Sequence, residues 1–293
     1  MTASTHSLFS KNSLIQASDQ AVETYDQAAI LAQEIASRLA ECLDVIRMQP
    51  RNILDLGAGT GNLNPLLRKR YPVAQIVALD FSARMLLHNR KINSSKQLRP
   101  VCADAEKLPF SSHSFDLIIS NLMLPWCLDL PIIFTEVHRV LKPGGLFLFS
   151  TLGVDTLNEV HTCWSVVDDT PHVHPCYDLH DMGDVLLQTG FADPVLDKEV
   201  ITLFYKNIHC LSDDLKATGT HNLLQERRKY LTGKNRWHHF AQQYEAYRDS
   251  KGNIPATFEV VYGHAWRSNT WSSTAEHPGE VRIPLDQIVR NYS

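Results

Sequence analysis

Short apolar runs alternate with segments of helical periodicity between residues 51 and 152, and this alternation restricts the possible folds more than any other feature of the chain. The apolar runs are NILDLG, QIVALD, LRPVCAD, FDLIISN and GGLFLFST. A strand, a helix and a second parallel strand in succession form a right-handed crossover, which packs helices against the faces of one sheet. The pattern therefore predicts an α/β fold with a doubly wound, mostly parallel sheet.

The segments on either side of this alternation divide the chain further. Apolar positions recur at helical spacing from Ala21 to Ile46, so residues 1–50 are expected to form an N-terminal helical cover. The predicted core comprises residues 51–206 and 254–268, because PATFEVVYGHAW has the alternation of a late strand. A helical insertion that serves as a lid is predicted for residues 207–253, and a loose tail for residues 269–293.

The composition narrows the class of partner. With a formal net charge of −4, the chain lacks the overall basic field that favours nucleic acid. Its six cysteines are scattered without a CxxC pair, as is typical of reduced thiols in a cytoplasmic protein. The sequence has neither a secretory leader nor an apolar run of about 18 residues. We therefore expect a cytoplasmic protein without nucleic-acid or membrane partners.

The segment ILDLGAGTG places three glycines, Gly57, Gly59 and Gly61, directly after the first predicted strand. Glycines there allow the backbone to turn sharply and to approach a ligand closely, and the next predicted helix offers free N–H groups. Asp55 stands two residues before the first glycine, where its charge would repel a pyrophosphate and attract an ammonium group. The spacing also differs from the G-x-G-x-x-G of dinucleotide sites. The segment therefore favours S-adenosylmethionine over NAD.

Acidic residues also follow the next two predicted strands. Asp80 ends QIVALD, where a carboxylate can accept hydrogen bonds from ribose hydroxyls. Asp104 follows the third strand and is expected to accept a hydrogen bond from the adenine amino group. Asn121 ends FDLIISN, at the crevice where the strand order should reverse. The predicted cofactor-binding residues are Asp55, Gly57, Ala58, Gly59, Gly61, Asp80, Phe81, Met85, Asp104, Ala105 and Asn121.

Several of these segments resemble known methyltransferases. ILDLGAGTG, ALDFSARML, DAEKLPF and VLKPGGLFLFST resemble the class I, S-adenosylmethionine-dependent methyltransferases over residues 53–151. This resemblance implies a Rossmann-like sheet of seven strands in the order 3-2-1-4-5-7-6, and S-adenosylhomocysteine as the product. AVETYDQAAILAQ, FSTLGVDTLNEVHTCW, YDLHDMGDVL, LTGKNRW and PATFEVVYGHAW resemble more specifically the malonyl-acyl-carrier-protein O-methyltransferases of biotin synthesis.

The second resemblance implies methyl transfer to the free carboxylate of a malonyl thioester on acyl carrier protein. A carboxylate with a pKa of roughly 4 is ionised at neutral pH, so its attack needs no general base. The sequence has no H-x-x-x-H or Cys/His set at metal-ligand spacing, and no metal is expected. By their positions in the family motifs, the residues expected to position the substrate are Tyr25, His161 and His180.

The segment ERRKYLTGKNRW is strongly basic and supplies Arg227, Arg228, Lys229, Lys234 and Arg236. Because carrier proteins are acidic, this segment is the expected docking face despite the negative charge of the whole chain. Malonyl-coenzyme A stays open as another acceptor. Three residues depart from the family pattern, namely Ser18 and Ala32 near the start and Pro125 beside the predicted crevice.

Three other functions remain open on the sequence alone. One is a methyltransferase of a free small carboxylic acid, in which residues 207–253 act as a lid. Another, on the same fold, is an arginine hydroxylase of the kind that assists the assembly of respiratory complex I. The third is a cofactor-binding regulator without activity. Only docking of a carrier protein would require the basic segment, so neutralising that segment distinguishes the first of these from the main prediction.

Overall fold

The computed structural model describes residues 8–93, 95–127 and 129–268, so the predicted tail of residues 269–293 lies outside the described residues. The strands are β1 Asn52–Leu56, β2 Gln75–Asp80, β3 Leu98–Cys102, β4 Phe115–Asn121, β5 Leu141–Leu152, β6 Phe191–Tyr205 and β7 Ile254–Arg267. The helices are α1 Lys11–Ala28, α2 Ile30–Cys42, α3 Asn64–Arg70, α4 Ala83–Ile92, α5 Leu130–Val140, α6 Asn158–Ser165, α7 Leu179–Gln188, α8 Ile208–Ala217 and α9 Lys234–Tyr244.

These strands form one seven-stranded sheet in the order 3-2-1-4-5-7-6, which confirms the predicted fold class and strand order. Strands β1 to β5 pair in parallel, whereas β7 pairs antiparallel with both β5 and β6. The order reverses between β1 and β4, which places a crevice at the carboxyl ends of these two strands.

Alternate residues of the central strands pack into two separate cores. On one face, Leu54 and Phe149 pack with Phe134 of α5 and Leu186 of α7. On the other face, Ile53 and neighbouring strand residues pack with α2 and α3. Helices on both faces bury the sheet, and the near-continuous apolar runs of the strands follow from this.

The N-terminal segment forms two helices instead of one. The apolar spacing from Ala21 to Ile46 predicted a single helix there, and this prediction was wrong. The structure has α1, which begins already at Lys11, and α2, with a break at Ala29, whose ψ of 40° is not helical. The side-chain amide of Gln33 donates to the carbonyl of Asp26, which lies at the break. Hydrophobic spacing did not reveal the break because both helices bury apolar residues at the same period.

The segment after β6 also differs from the prediction of a mostly helical run. Helix α8 ends at Ala217, and α9 begins only at Lys234, so residues 218–233 form a long loop. Asn207 starts α8, because its side chain accepts the N–H groups of His209 and Cys210. The basic residues Arg227, Arg228 and Lys229 therefore lie in a loop, and Lys234 and Arg236 lie in the first turn of α9.

Candidate active site

The glycine loop leaves β1 in a conformation that glycine permits. Gly57 has a φ of +78°, and a Cβ there would lie 2.3 Å from Cγ of Met123. The N–H groups of Gly57 and Ala58 both donate to the carbonyl of Leu79, at 2.8 and 2.9 Å. These bonds fix the loop against β2, so the first turn of the loop can hold only a residue without a side chain.

Asp55 is a buried carboxyl group beneath this loop, with 1% of its surface exposed. Its Oδ2 has no hydrogen-bond partner among the residues that the structure describes. Burial, together with the charge of Asp80, raises the pKa of Asp55 to about 8. A cation bound nearby would favour the ionised form, so the site fits a ligand that carries an ammonium group.

Asp80 lies at the carboxyl end of β2 and is held by two backbone groups. Its Oδ2 accepts the N–H of Gly59 at 2.9 Å, and its Oδ1 accepts the N–H of Ser82 at 2.8 Å. Burial raises the pKa of this carboxyl group to about 6, although the hydrogen bonds oppose the shift. Asp80 is therefore mostly ionised at neutral pH, and its remaining lone pairs can accept hydroxyl donors.

A cavity of about 330 Å³ opens over the glycine loop and the strand ends. Helix α1 forms one wall through Lys11, Leu14, Ile15, Ser18 and Tyr25. Most of the predicted cofactor residues line this cavity, namely Gly57, Gly59, Asp80, Phe81, Met85, Asp104, Ala105 and Asn121. Among the described residues, the predicted positions Asp55, Ala58 and Gly61 lie behind the lining rather than in it. Sequence reasoning missed the contribution of Lys11, Leu14 and Ile15.

Polar contacts fasten α1 over this cavity. Asp26 accepts a hydrogen bond from the hydroxyl of Thr60 in the glycine loop at 2.6 Å, and it contacts Nε2 of His88 at 3.1 Å. Nearer the start of the helix, the Ser82 hydroxyl donates to Asp19 at 2.6 Å. The helix thus contacts both the first loop and the start of α4.

The start of α1 carries a cation that faces the predicted adenine site. Lys11 Nζ lies 2.5 Å from Oδ2 of Asp104 and also binds Glu106. The other oxygen of Asp104 accepts the N–H of Glu106 at 2.9 Å. Asp104 is thus held in place at the cavity edge by both a side chain and the backbone.

A second cavity, of about 180 Å³, adjoins the first. The two share the lining residues Tyr25, Leu122, Trp126, Thr218, Thr220 and Leu223. Tyr25 thus stands at the boundary between them. Burial, with the charges of Asp80 and Asp26, raises its pKa to about 12, so its hydroxyl stays a neutral hydrogen-bond donor.

The histidines near the second cavity are not those that the sequence motifs favoured. His161 is exposed on α6 and His180 is exposed on α7, and neither lines the first or the second cavity. The structure instead places His172, His174 and His221 in the wall of the second cavity. These three histidines lie in loops that have no periodic pattern, so the sequence did not indicate their place in a cavity wall.

The five basic residues of the predicted docking face differ in exposure. Lys229 and Lys234 are exposed, whereas Arg227, Arg228 and Arg236 are half-buried. Arg227 donates to the carbonyl of Leu224 at 2.8 Å, so it also supports the loop. Two apolar side chains within the same segment, Tyr230 and Leu231, are 82% and 94% exposed. The segment therefore presents positive charge and exposed apolar surface together.

The three departures from the family pattern all lie at the cavities. Ser18 lines the first cavity, and Ala32 and Pro125 line the second. Asn121 donates to the carbonyl of Ala32 at 3.0 Å and accepts from the hydroxyl of Ser150 at 2.7 Å. These bonds tie α2 to the ends of β4 and β5.

The described residues contain neither a metal-binding cluster nor a membrane-spanning helix. In residues 8–93, 95–127 and 129–268, no group of three or more His, Cys, Asp or Glu side chains is arranged to hold a metal ion. Within the same residues, no helix has the length and apolar character needed to cross a membrane. A reaction without a metal stays a prediction.

Comparison with known proteins places this site in a family. A family model described as a methyltransferase domain matches residues 54–149. A malonyl-[acyl-carrier protein] O-methyltransferase of Gallionella capsiferriformans is 44% identical over 265 residues, which cover 88% of this chain and 91% of the relative. The chain belongs to this family. A second malonyl-[acyl-carrier protein] O-methyltransferase, from Coxiella burnetii, is 44% identical over 280 residues and covers 96% of both chains.

Several solved structures share the fold of this chain. The YcgJ protein of Bacillus subtilis has a TM-score of 0.58 at 16% identity, over 80% of this chain and all of that chain. A phosphoethanolamine N-methyltransferase of Haemonchus contortus, solved with S-adenosyl-L-methionine, has a TM-score of 0.50 at 16% identity, over 79% of this chain and 52% of that chain. At these identities the likeness concerns the fold alone.

Proposed function

We propose that the protein transfers a methyl group from S-adenosylmethionine to the free carboxylate of a malonyl thioester on acyl carrier protein. The observation that carries this proposal is the pair of adjoining cavities with Tyr25 between them. One has the charges and the glycine loop that suit the cofactor, and the other is a mostly apolar chamber that suits an acyl thioester. Membership of the O-methyltransferase family supports the same assignment.

The residues present fit the cofactor. Asp55 would attract the ammonium group of the methionine part, and its unpartnered oxygen supports this role. Asp80 would accept hydrogen bonds from the ribose hydroxyls, and Asp104 would accept a hydrogen bond from the adenine amino group. The bare backbone at Gly59 leaves room for close approach, because no atom lies within 4 Å of the place that a Cβ would take. When bound, S-adenosylmethionine supplies an electrophilic methyl group on its sulfonium.

The chemistry needs little more than positioning. A carboxylate oxygen of the substrate forms the new O–C bond while the methyl–sulfur bond breaks, S-adenosylhomocysteine leaves, and no proton has to move. Tyr25, which lines both cavities, would donate a hydrogen bond to the second carboxylate oxygen and so aim the first one. The apolar walls exclude water, which would otherwise solvate the attacking carboxylate.

The basic segment is proposed to dock the carrier protein. Its loop also supplies His221, Asn222 and Leu223 to the second cavity, so a carrier bound at Lys229 and Lys234 would stand beside that chamber. Malonyl-coenzyme A is proposed as a weaker acceptor, because it lacks the protein surface. Methylation would mask the charge of the malonyl group for chain elongation, as biotin synthesis requires.

The deciding experiment is methyl transfer from labelled S-adenosylmethionine to malonyl-acyl carrier protein, with malonyl-coenzyme A and free malonate in parallel. The expected result is one added methyl group on the carrier-bound malonyl group, detected by mass. Transfer to free malonate at an equal or higher rate would favour a small-acid methyltransferase. Tight cofactor binding without transfer to any acceptor would contradict the proposal and favour a hydroxylase or a regulator.

A further inference from the structure

The second cavity contains an imidazole whose orientation is fixed by its neighbours. The ring of His174 stacks on Trp126, with ring centroids 5.6 Å apart and planes 18° apart. The edge of Phe9 contacts the same ring at 4.4 Å between centroids. Trp126 lines both cavities, so His174 lies one aromatic ring away from the cofactor cavity.

Hydrogen bonding determines which nitrogen of His174 carries the proton. Nε2 faces the carbonyl oxygen of Pro125 within hydrogen-bond distance. A carbonyl can only accept, so Nε2 is the donor and bears the hydrogen. Burial lowers the pKa of His174, which keeps the ring neutral at neutral pH. Nδ1 therefore carries a lone pair and acts as an acceptor.

This acceptor is buried and has no hydrogen-bond partner in the part of the chain that the structure describes. A buried acceptor without a donor is costly, so a ligand that brings an N–H into the cavity would be favoured. The carboxylate and the thioester carbonyl of a malonyl thioester are themselves acceptors and cannot satisfy Nδ1. Thioesters of coenzyme A and of carrier proteins share a cysteamine amide, and its N–H is the first donor along the arm.

The malonyl thioester is long enough to bring this amide from the boundary between the cavities into the second cavity. Seven bonds separate a carboxylate oxygen from that amide nitrogen, which is about 8 Å in an extended chain. The carboxylate must reach the methyl group at the boundary between the cavities, where Tyr25 and Trp126 stand. An arm that runs from there into the second cavity passes His174, which packs against Trp126.

We propose that His174 Nδ1 accepts a hydrogen bond from the cysteamine amide of the thioester arm and thereby selects arm-linked malonyl groups over free malonate. This inference rests on the proposed function and assigns part of the specificity to a residue outside the reacting groups. His174 is a positioning residue for the arm, and the methyl transfer itself does not use it.

The test changes one atom of the substrate. The kcat/KM for methyl transfer to malonyl-N-acetylcysteamine thioester is compared with that for its oxygen analogue, in which an ester oxygen replaces the amide N–H. The wild-type enzyme is expected to prefer the amide about tenfold. In His174→Phe, which keeps an aromatic ring but has no acceptor, this preference should vanish. His174→Asn, which restores an acceptor near the position of Nδ1, should recover part of it.

The control is His239→Leu, which removes an exposed imidazole on α9 and should keep the full preference. Equal kcat/KM values of the wild-type enzyme for the two thioesters would overturn the inference, even if His174→Phe failed to fold. A preference that persists in folded His174→Phe would overturn it as well. Either result leaves the proposed function intact, because that function is tested by comparing malonyl-acyl carrier protein with free malonate and does not depend on the preference for the amide.

Discussion

At the scale of single residues, the buried carboxyl groups of Asp55 in β1 and Asp80 at the end of β2 differ in their hydrogen bonding. Asp55 is buried without a hydrogen bond to Oδ2 in the described residues, whereas both oxygens of Asp80 accept backbone N–H groups. Their pKa values are accordingly raised to different extents, to about 8 and about 6. The two groups should therefore respond differently to mutation.

Replacing Asp80 with Ala should weaken S-adenosylhomocysteine binding by about 1.5–3 kcal/mol, because a charge-assisted hydrogen bond to the ribose is lost. Isothermal titration calorimetry of the purified variant measures this directly. Asp181→Ala, which removes an exposed carboxylate on α7, serves as the control. Unchanged affinity in Asp80→Ala would mean that the cofactor site is wrongly assigned.

Asp55→Asn should make the cofactor-free protein more stable at alkaline pH. The pKa of Asp55 is about 8 in the folded protein and near 3.8 in an unfolded chain. Between these values the unfolded chain releases a proton that the folded protein retains, so stability falls as pH rises. Asn has no proton to release, so the variant should escape this loss and gain about 2–4 °C in unfolding midpoint for each kcal/mol removed.

Thermal unfolding from about pH 5 to about pH 9 measures this difference. The difference between wild type and variant should be smallest at the acidic end, grow with pH and level off above the folded-state pKa of about 8. Parallel curves over the whole range would show that Asp55 does not titrate as described. Cofactor binding should meanwhile weaken in the variant, since Asn does not offer a negative charge to an ammonium group.

At the scale of elements, α1 closes the cofactor cavity. One face of this helix lines the cavity, and three acidic or basic side chains, Lys11, Asp19 and Asp26, bind residues outside the helix. Most of their partners lie in the segments that follow β1, β2 and β3, and His88 lies in α4. Because α1 forms one wall of the cavity, we expect a bound cofactor to leave more easily when this helix moves.

Asp26→Ala should therefore raise the dissociation rate of the cofactor about threefold to tenfold, because contacts with Thr60 and His88 are lost from a partly exposed position. Stopped-flow displacement of a fluorescent cofactor analogue gives this rate. Glu23→Ala changes an exposed acid on the same helix and should leave the rate unchanged. Equal rates in Asp26→Ala and wild type would show that α1 does not control release.

At the scale of the whole molecule, one segment has a charge opposite in sign to the net charge of the chain. The chain has a net charge of −4, yet residues 227–236 contain five basic side chains. The same loop lines the second cavity through His221, Asn222 and Leu223. Such a local patch speeds the encounter with an acidic partner and fixes its orientation. The effect belongs to the surface and should be separable from the chemistry.

The double variant Lys229→Glu, Lys234→Glu should lower kcat/KM for malonyl-acyl carrier protein by about tenfold or more at low ionic strength. Its activity on malonyl-N-acetylcysteamine thioester should not change, because that substrate has no protein surface. Salt should reduce the difference. Arg47→Glu with Lys69→Glu makes the same charge change at exposed positions in the segments that precede β1 and β2, and should act like wild type. Equal loss on both substrates would contradict docking at this segment.

The sequence was most informative where function depends on neighbours in the chain. The alternation of strands and helices predicted the fold class, and the resemblance to class I methyltransferases implied the strand order. ILDLGAGTG and QIVALD identified residues that line the first cavity. These residues could be identified because the end of a strand and the turn that follows it stay together in any parallel sheet.

Other contacts around the two cavities were harder to predict, because they join segments that lie far apart in the sequence. His174 meets Pro125 across 49 positions of the chain, and Lys11 meets Asp104 across 93. Neither contact has a periodic pattern, and the break at Ala29 that sets the course of α1 has no Gly or Pro to mark it. Motif position favoured His161 and His180, which the fold turns outward.

The antiparallel strand β7 also has a consequence for synthesis on the ribosome. It lies between β5 and β6 in the sheet, although it follows both in the chain. Until residues 254–267 emerge, β5 and β6 each expose an unpaired edge, and such edges invite association between nascent chains. The growing polypeptide should therefore depend on chaperones longest at its last strand, and a truncation before Ile254 should aggregate rather than fold.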